Sequence, residues 1–339
     1  MPLRLTTSET EDFFKLGANG QGQKALTQYN LQKEYITQDI LKQVALFYLN
    51  DLKVKLVEIA WIGFYWIVIV SDDTNIKPLP CKVAGHACGY HFASQAPRQD
   101  PAALRAKKPD GTVYDDSSYD RNPAQPLRPG VMLSSSMDHG IFSSSSSGIL
   151  VADEDGSMFI TASSHTFATD NKVYHPKPWG RQIGTVHHKI PYTDISLVKL
   201  NSGIRYLNEA FGVEADVNGT RMAGILTYSQ NTPSLECRAG DDIWMDNPFS
   251  GRCEGTFLGP SLKVEGIPEK ITLVRQKWMV FENGTGEPIE GSCGSAVMDD
   301  QGRVIAFFRF LSKDGISVGV AAQELRENGY EMVGGAHEF

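Results

Sequence analysis

Gly291-Ser292-Cys293-Gly294-Ser295-Ala296-Val297-Met298-Asp299-Asp300-Gln301-Gly302-Arg303-Val304-Ile305-Ala306-Phe307-Phe308-Arg309-Phe310 is the stretch whose reading decides the fold. Its second part is strand, turn, strand: Ser295 to Met298, a turn at Asp299-Asp300-Gln301-Gly302, then an apolar run from Arg303 to Phe310. Its first part is a tight turn in which two glycines bracket a polar pair. A glycine two residues before a nucleophile lets the backbone turn so that two amide N–H groups face one small space. A carbonyl oxygen becoming an oxyanion needs such a pair of donors. The N–H groups of Gly291 and Cys293 are the candidates, with the Cys293 thiolate attacking the same carbonyl. A lone G-x-C-G is also compatible with a Gly/Ser turn around a buried cysteine. The residues upstream decide between the two.

A second hairpin mirrors the first. Gly148-Ile149-Leu150-Val151 leads through Asp153-Glu154-Asp155-Gly156 into Met158-Phe159-Ile160-Thr161-Ala162 and ends at Ser163-Ser164-His165. One hairpin closes on a histidine and the other opens on a cysteine, which suits two related β-units with a cleft between them. Between them lies Asp194-Ile195-Ser196-Leu197-Val198-Lys199-Leu200, an acid opening an apolar strand. A carboxylate at that rim could hold the second ring nitrogen of a histidine base. The chain order is His165, Asp194, Cys293, with gaps of 29 and 99 residues.

These segments resemble the chymotrypsin-like, or trypsin-like, protease family. Phe159 to His165 is similar to its "LTAAH" segment with one extra residue, and Asp194 to Val198 to its "DIALL" segment. Gly291 to Ser295 is similar to its "GDSGG", with cysteine in place of the nucleophilic serine as in the picornaviral branch. Gly319-Val320-Ala321-Ala322 resembles its closing "GVYT" strand. The overall texture is also similar to fungal trypsin-like proteins. The resemblance covers roughly residues 131 to 330. It implies Cys293 as nucleophile, His165 as general base and then acid, Asp194 as its orienter, and the Gly291 and Cys293 amides as oxyanion hole. It also implies that Arg309-Phe310-Leu311 pairs the substrate as an added strand. Glu287, six residues before Cys293, stands where the family places the floor of its primary pocket, and a carboxylate there would favour Lys or Arg in the substrate. It reads equally as a solvated loop charge beside Glu282 and Glu290. Three departures stand out. Ser292 replaces the aspartate that pairs with a newly cut N-terminus, so no such activation is expected. The gap from His165 to Asp194 is short, which implies trimmed loops. Ser163-Ser164 precedes His165 as an insertion and leaves the turn carrying the histidine open.

The remainder sets bounds. The 339 residues are 41% hydrophobic and 21% charged, ordinary for a globular chain with a substantial core. A net charge of −8 argues against non-specific nucleic-acid binding. Residues 1 to 30 are polar and patternless, a loose arm without an apolar leader segment. From Thr37 a helix is expected, with Ile40, Val44, Phe47, Tyr48 and Leu52 at helical spacing. Ile59 to Val70 is too short and too closely flanked by charge for a membrane span, and reads as strands paired about Gly63 or as one buried strand. Cys81, His86, Cys88 and His91 fall within eleven residues, but their spacing matches no common zinc finger, and Leu79-Pro80 with Tyr90 and Phe92 suggests packing instead. No metal and no other cofactor is expected.

Prolines punctuate a polar stretch from about 94 to 130, which reads as a linker. The serine runs Ser134–Ser136 and Ser143–Ser147 read as a flexible loop. His175, His187 and His188 read as surface residues, and Cys237 and Cys253 as buried thiols. Five cysteines, an odd number, suit a reducing compartment, cytosolic by default. The expected architecture is mainly β: a chymotrypsin-like double β-barrel in the C-terminal two-thirds (residues 131–339, barrels at about 131–225 and 226–330), preceded by a small α+β region over 1–125. The leading functional expectation is a cysteine endopeptidase acting on peptides or proteins through a thioacyl-enzyme. The alternatives are an acyltransferase or cyclase using the same intermediate, and a protease-like binding module without chemistry.

Overall fold

The computed structural model describes residues 38–97, 126–136, 142–167, 170–177, 180–209, 224–225, 237–267, 270–281, 288–334 and 336–338. The architecture is mainly β, in two large sheets. The N-terminal arm, Thr37, Glu287 and most of the proline-rich stretch lie outside the described residues.

Helix α1 (Gln38–Leu46), continued as a wider turn over Phe47–Asp51, buries Leu41, Val44, Ala45 and Tyr48. It packs on a small sheet of β1 (Leu56–Trp61), β2 (Tyr65–Val70), β3 (Lys82–Val83) and β4 (His86–Phe92). The segment around Gly63 is therefore a hairpin: β1 and β2 pair antiparallel, and Gly63 takes φ +88° in the turn. Cys88 sits under α1, where the Tyr48 hydroxyl donates to its sulfur at 3.4 Å, and His86 lies edge-on to Trp61.

The first large sheet holds β5 (Met132–Ser136), β6 (Phe142–Ser146), β7 (Leu150–Ala152), β8 (Met158–Ser163), β9 (Lys172–His175), β10 (Arg181–Ile190) and β11 (Ile195–Leu200). Short strands follow at β12 (Arg205–Leu207) and β13 (Gly224–Ile225). The second sheet comprises β14 (Asp242–Asn247), β15 (Gly251–Ile267), β16 (Lys270–Val280), β17 (Ala296–Asp299), β18 (Arg303–Leu311) and β19 (Ser317–Ala321). Its order is β14-β17-β18-β19-β16-β15, and β14 pairs again with β15, which closes the six strands into a barrel. Helix α2 (Gln323–Glu327), β20 (Glu331–Met332) and β21 (Ala336–Glu338) end the chain, with β20 crossing back to pair with β7.

The N-terminal strands join the second sheet directly. β1 pairs with the long β15, setting Glu58 opposite Lys263 and Ala60 opposite Ser261. β15 runs 17 residues because it serves both the barrel and this extension. Between the large sheets, Ile149, Phe159 and Leu197 of the first pack with Trp244, Met298 and Phe307 of the second.

Two expectations are corrected. The serine runs are not a flexible loop: β5 and β6 form an antiparallel hairpin in which Ser134, Ser135, Ser145, Ser146 and Ser147 are buried. Small hydroxyls can enter a core when most find an acceptor, and of these five only the Ser145 hydroxyl has no partner among the described residues. Ser134 Oγ donates to the Pro176 carbonyl at 2.7 Å, and Ser147 Oγ to the Arg128 carbonyl at 2.9 Å. His175 is likewise buried, its Nδ1–H donating to the Met132 carbonyl at 2.7 Å ahead of a cis bond to Pro176. His187 and His188 are exposed.

Candidate active site

Strand register builds half of the site. β8 and β11 pair so that Ser163 stands opposite Ile195, which brings the turn after β8 against the residue before β11. The Ser164 amide closes this corner on the Asp194 carbonyl at 2.8 Å. His165 lies in a single helical turn, Ser164–Phe167, directly after β8. Asp194 adopts φ +61°, a left-handed conformation that aspartate tolerates better than most residues. Its carboxylate is used on both oxygens. Oδ1 accepts the His165 backbone N–H at 3.0 Å, and Oδ2 accepts the ring Nδ1–H at 2.8 Å. The His165 side chain is 45% exposed and that of Asp194 12%, so the pair stands at the rim with the acid on the inner side. Behind Asp194 the seam between the sheets is nearly closed: a cavity of about 10 Å³ lies among Thr161, Thr193, Asp194, Gly294, Phe308 and Arg309.

The Cys293 turn comes from the other sheet. Gly291 and Gly294 take φ +101° and +89°, conformations open to glycine and strained for other residues. A Cβ on Gly291 would meet the Phe249 ring at 2.5 Å. Cys293 is 5% exposed, packed with Phe281, Phe308 and Leu311, and so less open than its glycine and serine neighbours suggest. Its sulfur lies 3.0 Å from the Arg309 carbonyl, and Cys293 acts on the His165 ring closely enough to help raise its pKa. Within the turn, the Ser292 N–H donates to Ile289 O at 3.1 Å and the Gly294 N–H to Phe308 O at 2.8 Å. The N–H groups of Gly291 and Cys293 have no acceptor among the described residues. Two free donors beside a sulfur are what an incoming carbonyl oxygen needs.

Burial works against charge on His165, but the hydrogen bonds and negative charge of Asp194 and Cys293 outweigh it and raise the ring's pKa to about 10. The cationic ring is thus favoured through neutral pH. Burial pushes the thiols of Cys88, Cys237 and Cys253 upward, away from the reactive thiolate form.

Of the remaining predicted site residues, Arg309 reaches the Cys293 sulfur through its carbonyl, at a bulge between Phe308 and Phe310. Phe310 is half-buried against the outer face of the barrel sheet. The Leu311 side chain is buried in the core beside Cys293, so only its backbone is placed to meet another chain. Ser163 is a site residue that sequence reasoning passed over except as an insertion. Its Oγ lies 2.8 Å from His165 Nδ1 and 3.4 Å from Nε2. An oxygen on the Nδ1 axis would stand much farther from Nε2, so this hydroxyl lies over the ring, and it can donate to Asp194 Oδ2 at 3.3 Å.

No protein-family model matches the chain, and no curated protein matches it. Among solved structures it is similar to Thermobifida fusca Protease A, at 14% identity over 62% of this chain and 100% of that one, with a TM-score of 0.44. It is similar to a glutamic acid specific serine protease at 11% identity over 61% of this chain and 100% of that one, TM-score 0.42. Cellulomonas bogoriensis chymotrypsin shares 14% identity over 62% of this chain and 99% of its own, TM-score 0.41.

Proposed function

We propose that the chain is a cysteine peptidase that cleaves peptide bonds through a thioacyl-enzyme at Cys293. The observation that supports this reading is an imidazole tied to a carboxylate and influenced by Cys293, whose turn carries two N–H groups, those of Gly291 and Cys293, with no acceptor among the described residues.

The chemistry follows from that arrangement. Asp194 occupies Nδ1, so Nε2 is left for the sulfur, and the Cys293 proton resting there gives the cationic ring and the thiolate that attacks. The thiolate attacks the peptide carbonyl carbon, a C–S bond forms, and the oxygen takes up negative charge between the Gly291 and Cys293 N–H groups. The tetrahedral species collapses with rupture of the C–N bond, and His165 gives its proton to the leaving amine. Water then attacks the thioester and loses a proton to His165. The C–S bond breaks, the carboxylic acid leaves, and the thiol regains its proton. Asp194 keeps the ring in one tautomer and stabilises its charged form throughout. The side of Arg309–Leu311 that β19 does not pair would meet the substrate backbone, the Arg309 carbonyl taking up a substrate N–H.

The test is to trap the intermediate. Exposure to a mixed peptide library at low temperature followed by acid quench is expected to leave an acyl mass on the peptide containing Cys293, and none in Cys293→Ala. Cleavage without an acyl adduct at Cys293, or no cleavage at all, rejects the reading.

A further inference from the structure

The glycines of the nucleophile turn permit its shape but do not hold it, since glycine is free on both sides of φ = 0. We infer that Ser146, from the serine hairpin of the first sheet, is the positioning residue that holds this turn and aims its amides at the oxyanion. The inference rests on the thioacyl reading above.

Ser146 is fully buried and meets the turn twice. Its Oγ–H donates to the Gly291 carbonyl at 3.1 Å, and its backbone N–H to the Cys293 carbonyl at 3.0 Å. The carbonyl between them, that of Ser292, is held from the other side by Ser295 Oγ at 2.8 Å. In a trans peptide the C=O and N–H point opposite ways. Fixing the Ser292 carbonyl on Ser295 therefore turns the Cys293 N–H away from Ser295. Fixing the Gly291 carbonyl on Ser146 sets the torsion of a glycine whose own N–H is the second donor. The close approach of Gly294, where a Cβ would lie 2.6 Å from the Ser146 carbonyl oxygen, keeps the two segments in register. Ser146 and Gly291 are 145 residues apart, the first in β6 of one sheet and the second in the turn ahead of β17 of the other. The first sheet thus contributes to the oxyanion site as well as supplying His165.

Such a residue has a signature that general packing does not share. Alkylation of Cys293 by iodoacetamide displaces iodide from a methylene carbon and forms no oxyanion, whereas acylation by p-nitrophenyl acetate does. Both rates are read by mass at the Cys293 peptide in the full chain. In Ser146→Ala, alkylation is expected to stay within about twofold of the parent while acylation slows by about tenfold or more. Acylation at the parent rate overturns the inference, as does an equal loss of both rates, which marks general damage. Ser146→Cys keeps a weaker donor of similar shape and serves if the alanine variant does not fold. It is expected to show the same split, and an equal loss of both rates in it overturns the inference too. A parent chain that is never acylated at Cys293 removes the thioacyl reading itself, and this inference with it.

Discussion

The two halves of the site are built in different ways. The His165–Asp194 corner is local: two adjacent strands of one sheet end side by side, and the carboxylate bonds both backbone and ring of the same histidine. The Cys293 turn is long-range. It is buried, its glycines are conformationally free, and its carbonyls are held by hydroxyls and amides, one set from the opposite sheet. The corner tolerates solvent and depends on charge. The turn excludes solvent and depends on hydrogen-bond geometry. Charge removal should therefore damage the first half in proportion to the charge lost, and added volume should damage the second abruptly.

The largest effects come from removing the groups on which both halves converge. Cys293→Ala and His165→Ala are each expected to lower peptide turnover by roughly 10⁴-fold or more, with little further loss in the double variant, because residues acting as one unit are not additive. The measurement is turnover with melting curves alongside. A Cys293→Ala variant that keeps even a hundredth of the activity would show that the sulfur is not the nucleophile and would end the comparison.

Gly291→Ala comes next and probes the turn alone. The new methyl would meet the Phe249 ring at 2.5 Å, at a φ of +101° that alanine rarely adopts. Turnover is expected to fall by about a hundredfold, the scale of losing one oxyanion donor. The melting temperature should drop measurably as well, because overpacking a filled site typically costs about 1–3 kcal/mol. The His165 ring titration should hardly move. If it moves as much as the activity does, the two halves are coupled more tightly than their separate construction suggests.

Asp194→Asn probes the corner alone. The carboxylate holds the ring's pKa up at about 10 against its burial, so a neutral amide lets it fall. Because the folded pKa is raised, the stabilising charge pair is fully present below the unfolded histidine value of about 6.5 and is lost as pH rises through about 10. An NMR titration of labelled histidine is expected to show the His165 pKa lower by about two units or more in Asp194→Asn. Turnover near neutral pH should fall less than in His165→Ala, since a thiolate and an imidazolium can pair without the third member. An unchanged titration would mean that Cys293, and not Asp194, sustains the charged ring.

The same contrast explains what could be read from the chain. The two hairpins, the apolar strand after Asp194 and the order of the three site residues were legible, because each depends on turn chemistry and alternation within a few residues. The hairpin about Gly63 was half legible, one of two readings beside a single buried strand. The serine hairpin was not. A serine run carries no apolar period, and its burial makes sense only once the Pro176, Arg128 and Gly291 carbonyls are in place 19 to 145 residues away. His175 was missed likewise, because its partner lies 43 residues upstream. The pairing of β1 with β15 joins residues about 200 apart and left no local mark. Glu287 lies outside the described residues, so its pocket role stays an expectation from resemblance alone.

Ser163 tests the boundary between the halves with the smallest expected effect. Its hydroxyl is buried, lies over the His165 ring and has a long 3.3 Å bond to Asp194 Oδ2. That carboxylate oxygen already accepts the ring N–H at 2.8 Å, so Ser163→Ala leaves no carboxylate oxygen without a donor. The in-plane direction at Nδ1 belongs to Asp194, so the serine takes no part in moving the proton. Its contribution is to limit the tilt of the ring; a hydrogen bond to a charged group is ordinarily worth about 1.5–3 kcal/mol, and one stretched to 3.3 Å less, on the order of 0.5–1 kcal/mol. Turnover in Ser163→Ala is expected to fall by about twofold to fivefold, with the His165 titration shifted by less than about half a unit. A drop beyond tenfold would put Ser163 inside the proton-transfer unit. A titration shift of a full unit would mean that the hydroxyl stabilises the ring's charge, and the corner would then depend on a buried hydroxyl much as the cysteine turn does.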